Sequence, residues 1–550
     1  MRPLLFLGLL SLLGCQSPHP VADTIYYDAR IWTGDPGQPW ASALGISDGR
    51  ILFVGDDYED YAGPKTACTS LRGRLVVPGF VDNHTHFLDG GFVLAGVNLR
   101  PASTPGEFTS ILAGFTAGLP DDGRWVTGGN WDHEAWGGSL PHRSWIDSIS
   151  GGHPVFVSRL DGHMALANSL ALQMAKITKE TPDPPGGTIV RDPLTGEPTG
   201  VLKDEAMSLV FGIMPEYSEA ELDEALQRAV AHALAHGLTQ VHDVGSFGGW
   251  ADLATYQRAR AGNALPLRIY SFIPLSKWAE LAKYVGENGK GDDWLRWGAL
   301  KGFVDGSLGS TTAWFYKPYD DAPETSGLVV TDTSDLRKWI LSADSAGLHV
   351  AVHAIGDRAN DWLLDVYQEA EQRNGPRSRR FRIEHAQHLT REAIGRFAQL
   401  GVIPSMQPYH AIDDGRWAEK RIGPERIKTT YAFRSLLDAG ASLSFGSDWT
   451  VAPLNPLEGI YAAVTRRTLD GANPDGWVPA EKISVEEALR CYTGANAYAG
   501  FQEDRLGMLK TGYLADFAVL SENIFEIPPQ RIKEVEAVLT VTGGKVAYQK

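Results

Sequence analysis

Seven short apolar runs, at 238–244, 267–273, 300–304, 349–353, 381–385, 402–407 and 443–446, recur along the middle of the chain. An eighth run, 75–81, comes earlier and leads into His84-Thr85-His86. Helix-patterned stretches occupy intervals between them, at 219–236, 335–346 and 361–373. This alternation is the strongest constraint on the fold. Parallel strands need a long crossover between them, and eight such units predict a (β/α)8 TIM barrel of the α/β class. The spacing fits single βα units from the second strand onward. The gap from His86 to Leu238 does not, so an insertion is expected over about 100–235. Asp183-Pro184-Pro185-Gly186-Gly187 and Gly196-Glu197-Pro198-Thr199-Gly200 read as turns between short strands within it.

The two ends read differently. Residues 24–77 carry short apolar runs punctuated by Gly49 and Gly55, and 506–550 resume that style. One small all-β domain built from both ends is expected, with the barrel at 78–505 between them. Ahead of it, Arg2 precedes an apolar stretch at 4–13, too short to span a bilayer as a helix. Leu12-Leu13-Gly14-Cys15 resembles a bacterial lipobox. That implies a signal peptide at 1–15, lipidation at Cys15 and a tether at 16–23. Gln16 is not the aspartate that marks inner-membrane retention, so the expected location is the cell envelope, at the periplasmic face of the outer membrane. The formal charge of −17 argues against nucleic acid and anionic membrane surfaces as partners. Cys68 and Cys491 stand far apart, and two buried free thiols are expected, with a disulfide in an oxidising compartment as the alternative.

Side chains at the C-terminal ends of barrel strands converge on one site. Those ends carry His84 and His86 on the first strand, Lys301 on the fourth, His353 on the fifth, His385 on the sixth and Asp448 on the eighth. Residues i and i+2 of a strand share a face, so His84 and His86 aim at one spot. Imidazoles with a carboxylate suit a divalent ion such as zinc, and catalytic sites of this kind leave a position for water.

The chain resembles the amidohydrolase superfamily, in its amidohydrolase-3 branch, which includes N-substituted formamide deformylase-like and YtcJ-like proteins. The likeness rests on Val77-Pro78-Gly79-Phe80-Val81-Asp82-Asn83-His84-Thr85-His86, Lys301-Gly302-Phe303-Val304-Asp305-Gly306-Ser307, His353-Ala354-Ile355-Gly356-Asp357, Glu384-His385, Ser405-Met406-Gln407-Pro408, Gly446-Ser447-Asp448 and Gly512-Tyr513-Leu514-Ala515-Asp516. It implies a β-sandwich flanking the barrel. It implies one ion on His84, His86 and Asp448, a second on His353 and His385, and a carboxylated Lys301 bridging them. An unmodified Lys301 beside one ion, or in an ion pair, is the alternative. Water activated by the ion would attack, while Asp448 takes its proton and passes it to the leaving amine. The expected reaction is hydrolysis of an amide-type C–N bond in a small N-formyl or N-acyl compound. Its rivals are ester or lactone hydrolysis at the same site, or a surface binding lipoprotein without catalysis.

Further residues are candidates for the substrate pocket. Leu160-Asp161-Gly162-His163 resembles a substrate-facing segment of the family, which nominates His163. His410 follows the seventh strand. Asp357 reads as a helix N-cap or a polar group of the site. Asn130, Trp131, Asp132 and Trp136 wall the pocket or pack a core, and the tryptophans of the insertion hint at an apolar substrate portion. Glu384 should face away from His385 and serve structure, and His242 is a spare ligand.

Overall fold

The computed structural model describes residues 20–245 and 248–550; the signal peptide, Cys15 and most of the tether lie outside the described residues. Eight parallel strands form the central sheet: β1 (Phe80–Thr85), β2 (Leu238–Asp243), β3 (Arg268–Pro274), β4 (Leu295–Phe303), β5 (His349–Ala354), β6 (Arg382–His385), β7 (Ile403–Met406) and β8 (Ser444–Phe445). They neighbour one another in sequence order. The sheet nearly closes on itself: just past β8, Asp448 N donates to His84 O at 2.8 Å and Trp449 O accepts from His86 N at 2.6 Å. The predicted barrel is therefore present. Its strands are buried on both faces because helices cover one side and the barrel interior the other.

Helix α1 (Glu219–Ala235) shows how local sequence builds this layer. Ser218 and Glu221 form a capping box at its start. Leu222, Ala225, Leu226, Ala229, Val230 and Ala233 recur at intervals of three and four and are buried. The chain then enters β2 through Gly237, whose φ of +80° falls in the left-handed region open to glycine.

The apolar run at 75–81 belongs to two strands, not one. Leu75–Pro78 pairs with Phe517–Leu520 and Arg30–Trp32 in a separate sheet, and only after Gly79 does β1 begin. Both strands are buried on both faces, so hydrophobicity alone gives no sign of the switch. Gly79 carries it: a Cβ there would fall 2.2 Å from the Thr239 Oγ1 of β2. Gly79→Ala is expected to cost about 1–3 kcal/mol by overpacking, read as a shift of the denaturation midpoint.

The separate sheet draws on both chain ends. Its order is Lys545–Gln549, Ala537–Thr542, Phe517–Leu520, Leu75–Pro78, Arg30–Trp32, Trp40–Ala41. A four-stranded sheet of Arg50–Gly55, Ala43–Ser47, Thr24–Tyr27 and Ala67–Ser70 accompanies it. Tyr26, Leu44 and Ile46 of one share an apolar cluster with Val76, Phe517 and Val541 of the other. Arg268 at the start of β3 ties the barrel to this region, donating to both oxygens of the buried Asp516 at 2.6 and 2.9 Å.

Between β1 and α1 lies a third unit, a six-stranded sheet ordered Gly187–Arg191, Pro198–Asp204, Met164–Ala167, Phe156–Arg159, Gly128–Trp131, Val97–Asn98. The first expected turn, at 183–187, leads into its outermost strand; the second lies at 192–197, earlier than the expected 196–200, because 198–200 already belong to the next strand. It has an apolar core of its own, with Phe108, Leu112, Trp131 and Ile146 fully buried. Among the described residues, no helix is long and apolar enough to cross a membrane.

Both described cysteines are free, but only Cys491 is buried; Cys68, on an edge strand, is exposed. The expectation of two buried thiols fails because Ala67–Ser70 is an edge strand with little covering it. Burial pushes the Cys491 thiol up. Thiol titration of protein lacking residues 1–19 should find one fast-reacting group natively and a second only on unfolding.

Candidate metal centre

The C-terminal mouth of the barrel collects the nominated ligands around one carboxylate. His84, within β1, donates Nδ1–H to Glu384 Oε2 at 2.5 Å, which leaves Nε2 directed at Asp448 Oδ1, 3.4 Å away. His86 uses Nδ1 on the carbonyl of Gly245 at 3.2 Å and places Nε2 3.5 Å from the same oxygen. On the other side, His385 Nδ1 lies 2.8 Å from Gln407 Oε1 and 3.8 Å from Asp448 Oδ2. His410 Nε2 lies 3.9 Å from Asp448 Oδ2. Two groups could each hold an ion, His84–His86–Asp448 and His385–His410–Asp448, with ligand atoms within 4.8 Å of one another. His353 packs its ring 4.5 Å from that of His385 and gives Nε2–H to Gly306 O at 3.0 Å, which keeps Nδ1 for the site. Lys301 Nζ is 3.2 Å from His84 Nε2.

Protonation suits ligation. Burial, helped by the charge of Lys301, pulls His84 down to about 4, and burial holds His353 and His385 well below the usual imidazole range. All three are neutral near pH 7, as ligands must be; burial pulls His86 down too, but its hydrogen bond with Asp448 raises it overall. Burial lowers Lys301 to about 8 despite Glu384 and Asp448 nearby. Burial alone would raise Asp448, but His84 and the hydrogen bond with His86 outweigh it and hold the carboxyl below the ordinary range. His385 (φ +75°) and Asp448 (φ +59°) both adopt the left-handed region, uncommon for these residues, at the strand ends where they meet. The donor set fits a divalent ion: imidazoles and a carboxylate, with His410 Nε2 buried and lacking any hydrogen-bond partner.

The inserted sheet faces this mouth and encloses a cavity of about 800 Å³ with it. His163, in the turn before Met164–Ala167, reaches in from that side. Its Nδ1 lies 2.6 Å from Asp204 Oδ1, and its ring is 5.3 Å from that of His353. Burial opposes protonation of His163, yet Asp204 lifts it to about 9. Asp305 holds the loop after β5 by accepting from Trp314 N, Ile355 N and Gly356 N at 2.7–2.9 Å.

A match to the amidohydrolase family spans residues 69–548. This chain belongs to the amidohydrolase family. It is 42% identical over 542 residues to protein LONG AFTER FAR-RED 3 of Arabidopsis thaliana, covering 96% of this chain and 92% of that one. It is 29% identical over 548 residues to the N-substituted formamide deformylase of Arthrobacter pascens, covering 96% and 98%. Among solved structures, an uncharacterized metal-dependent hydrolase from Pyrococcus horikoshii OT3 superposes with a TM-score of 0.74 at 27% identity, over 92% of this chain and 99% of that one. The fold of this amidohydrolase is that of a metal-dependent hydrolase.

Of the residues nominated from the sequence, this amidohydrolase brings His86, Lys301, His353, His385, Asp448, His163 and His410 to the cavity, with His84 fully buried beside His86 and Asp448. Trp131 does not reach it. It is fully buried in the core of the insertion, with Nε1 donating to Val157 O at 2.8 Å, while its neighbours Asn130 and Asp132 line the cavity. Asp357 is the first residue of a helix capped by Gly356, and its Oδ1 accepts from Tyr316 N at 2.9 Å, away from the site. His242 lies inside the barrel against Arg382, at 3.0 Å, and belongs to neither ligand group. Glu384 does point away from His385, but the inward face it takes is where His84 waits. Arg382 Nε and Ser405 Oγ also donate to it, each at 2.7 Å. Two charged residues at i and i+2 on a buried strand, Arg382 and Glu384, were the available sign of an interior ion pair.

Proposed function

We propose that this amidohydrolase cleaves an amide-type C–N bond in a small N-formyl or N-acyl compound, with Asp448 carrying the proton. One observation bears most of the weight: nitrogens of four histidines stand 3.4–3.9 Å from the two oxygens of a single ionised carboxylate. His84, His86 and Asp448 would hold one divalent ion, and His385 with His353 or His410 a second; zinc suits these donors. When bound, the ion polarises the carbonyl and lowers the pKa of water. Asp448 then accepts a proton as water oxygen bonds to the carbonyl carbon. It delivers that proton to nitrogen as the C–N bond breaks, giving a carboxylic acid and an amine. Glu384 and the Gly245 carbonyl hold the two imidazoles in the tautomer that keeps Nε2 unprotonated. Carboxylation of Lys301 would replace a buried ammonium, 3.2 Å from a ligand nitrogen, with an anion able to bridge two ions. Bicarbonate should then raise metal occupancy in the wild type and leave Lys301→Ala unchanged.

The likeness to the Arthrobacter N-substituted formamide deformylase favours formamides. Matched amide and ester substrates, assayed with zinc-loaded protein, decide between C–N and ester cleavage. Protein that binds no ion and hydrolyses neither would overturn the reading and leave a binding protein. We also propose lipid anchoring at the cell envelope through Cys15; incorporation of labelled palmitate that is lost in Cys15→Ser tests it.

A further inference from the structure

The cavity has two unlike ends. One is the metal centre. The other is an apolar arm supplied by the insertion and by the segment after β1. There Phe156 and Phe211 meet edge to face with ring centres 5.1 Å apart, and Phe92 stacks on Tyr217 at 4.0 Å. Met214 adds a side chain that adapts to irregular shapes. The rim is apolar too: Phe211 is 51% exposed and its neighbour Ile213 40%. Solvent-facing side chains of this size at the mouth of a continuous cavity mark a surface that something apolar covers.

The charges of the same cavity point the same way. Seven carboxylate residues line it against two lysine or arginine side chains, Arg159 and Lys301. Arg159 is already engaged: it gives Nη1 to Asp161 at 2.7 Å, Nη2 to Asp132 at 3.1 Å and Nε to His133 at 3.1 Å. Lys301 belongs to the metal centre, and His163 is matched by Asp204. Among the described residues, no lining guanidinium or ammonium is left to receive a carboxylate from the substrate. Of the seven carboxylates, Asp132, Asp161 and Asp413 are themselves paired with Arg159, Arg416 or Arg100, so a substrate carboxylate would enter the cavity with no free fork to hold it.

We infer that the substrate is an uncharged amide with a bulky aryl or alkyl group on one side of the scissile bond and no carboxylate beside that bond. This rests on the proposed C–N hydrolysis, and selects N-acyl amines over N-acyl amino acids. The apolar group occupies the Phe156–Phe211–Met214 arm while the amide meets Asp448.

Three compounds test it. N-formyl-2-phenylethylamine and N-formylphenylalanine differ only by a carboxylate, and N-formylmethylamine lacks the apolar group. Calorimetry with Asp448→Asn reads binding without turnover, and metal-chelated wild type gives the same comparison if that variant folds poorly. Hydrolysis is followed separately with zinc-loaded wild type. The phenylethyl compound should bind about ten-fold or more tighter than N-formylmethylamine, the benefit expected from burying a phenyl group, and also about ten-fold or more tighter than N-formylphenylalanine, whose carboxylate finds no cationic partner in the cavity. N-formylphenylalanine or N-formylmethylamine binding as tightly would overturn the inference. If the binding order holds but none is hydrolysed, the reaction is wrong and the substrate class stands. If N-formylphenylalanine is hydrolysed best, the reaction stands and the substrate class is wrong. Phe211→Ala, at a half-exposed position, should weaken the two phenyl compounds and leave N-formylmethylamine unchanged; an equal change for all three would count against the arm.

Discussion

Replacing Asp448 with asparagine is expected to lower kcat by about 10³–10⁴-fold, the upper range for losing a positioned proton carrier. The substitution is nearly isosteric, and asparagine tolerates the left-handed φ of +59° that this position requires. The fold should therefore survive. The amide keeps one oxygen to face the histidines and loses the charge and the basic lone pair. Metal analysis of Asp448→Asn should find an ion still partly retained, because His84 and His86 remain, or His385 and His410 on the other side. Full activity in this variant would remove Asp448 from the reaction.

Glu384→Gln is expected to weaken metal binding by about 10–100-fold through the loss of the group that orients a ligand. Glu384 touches no reacting atom; it is a positioning residue. Its two oxygens receive His84 Nδ1–H, Arg382 Nε–H and Ser405 Oγ–H. Glutamine offers one acceptor oxygen and an NH₂ that faces donors. The guanidinium of Arg382, fully buried, would lose its counter-charge, and breaking such a pair costs about 3–5 kcal/mol. Chelator competition reads the zinc affinity, and thermal unfolding of the metal-free protein reads the ion pair. Glu384→Asp should recover part of both. A stability loss with unchanged zinc affinity would confine Glu384 to holding the fold.

Strand ends were legible because a barrel strand buried on both faces is a conspicuous apolar run, and the polar residue that terminates it has few places to go. That is how His353, His385 and Asp448 could be nominated from residues scattered across the chain. The switch at Gly79 was not legible, since the residues on either side are equally apolar and only a close approach from Thr239 distinguishes the position. For Glu384, asking what it does for its neighbour His385 gave its facing but not the partner across the barrel, His84. The insertion hid the most. Its tryptophans suggested an apolar pocket, but Trp131 packs inward under the sheet, and the apolar arm is made instead by Phe156, Phe211 and Met214. Which face of an inserted strand meets the barrel depends on how two separately folded units dock, and periodicity within one of them does not report that.

The most direct test of the account is the release of acid and amine from a panel of N-formyl and N-acyl amines by zinc-loaded protein, repeated after chelation and with Asp448→Asn. The account predicts equimolar acid and amine from at least one neutral member, lost on chelation, restored by zinc and absent from the variant. Release that survives chelation, or none from protein shown to carry its ion, would contradict it.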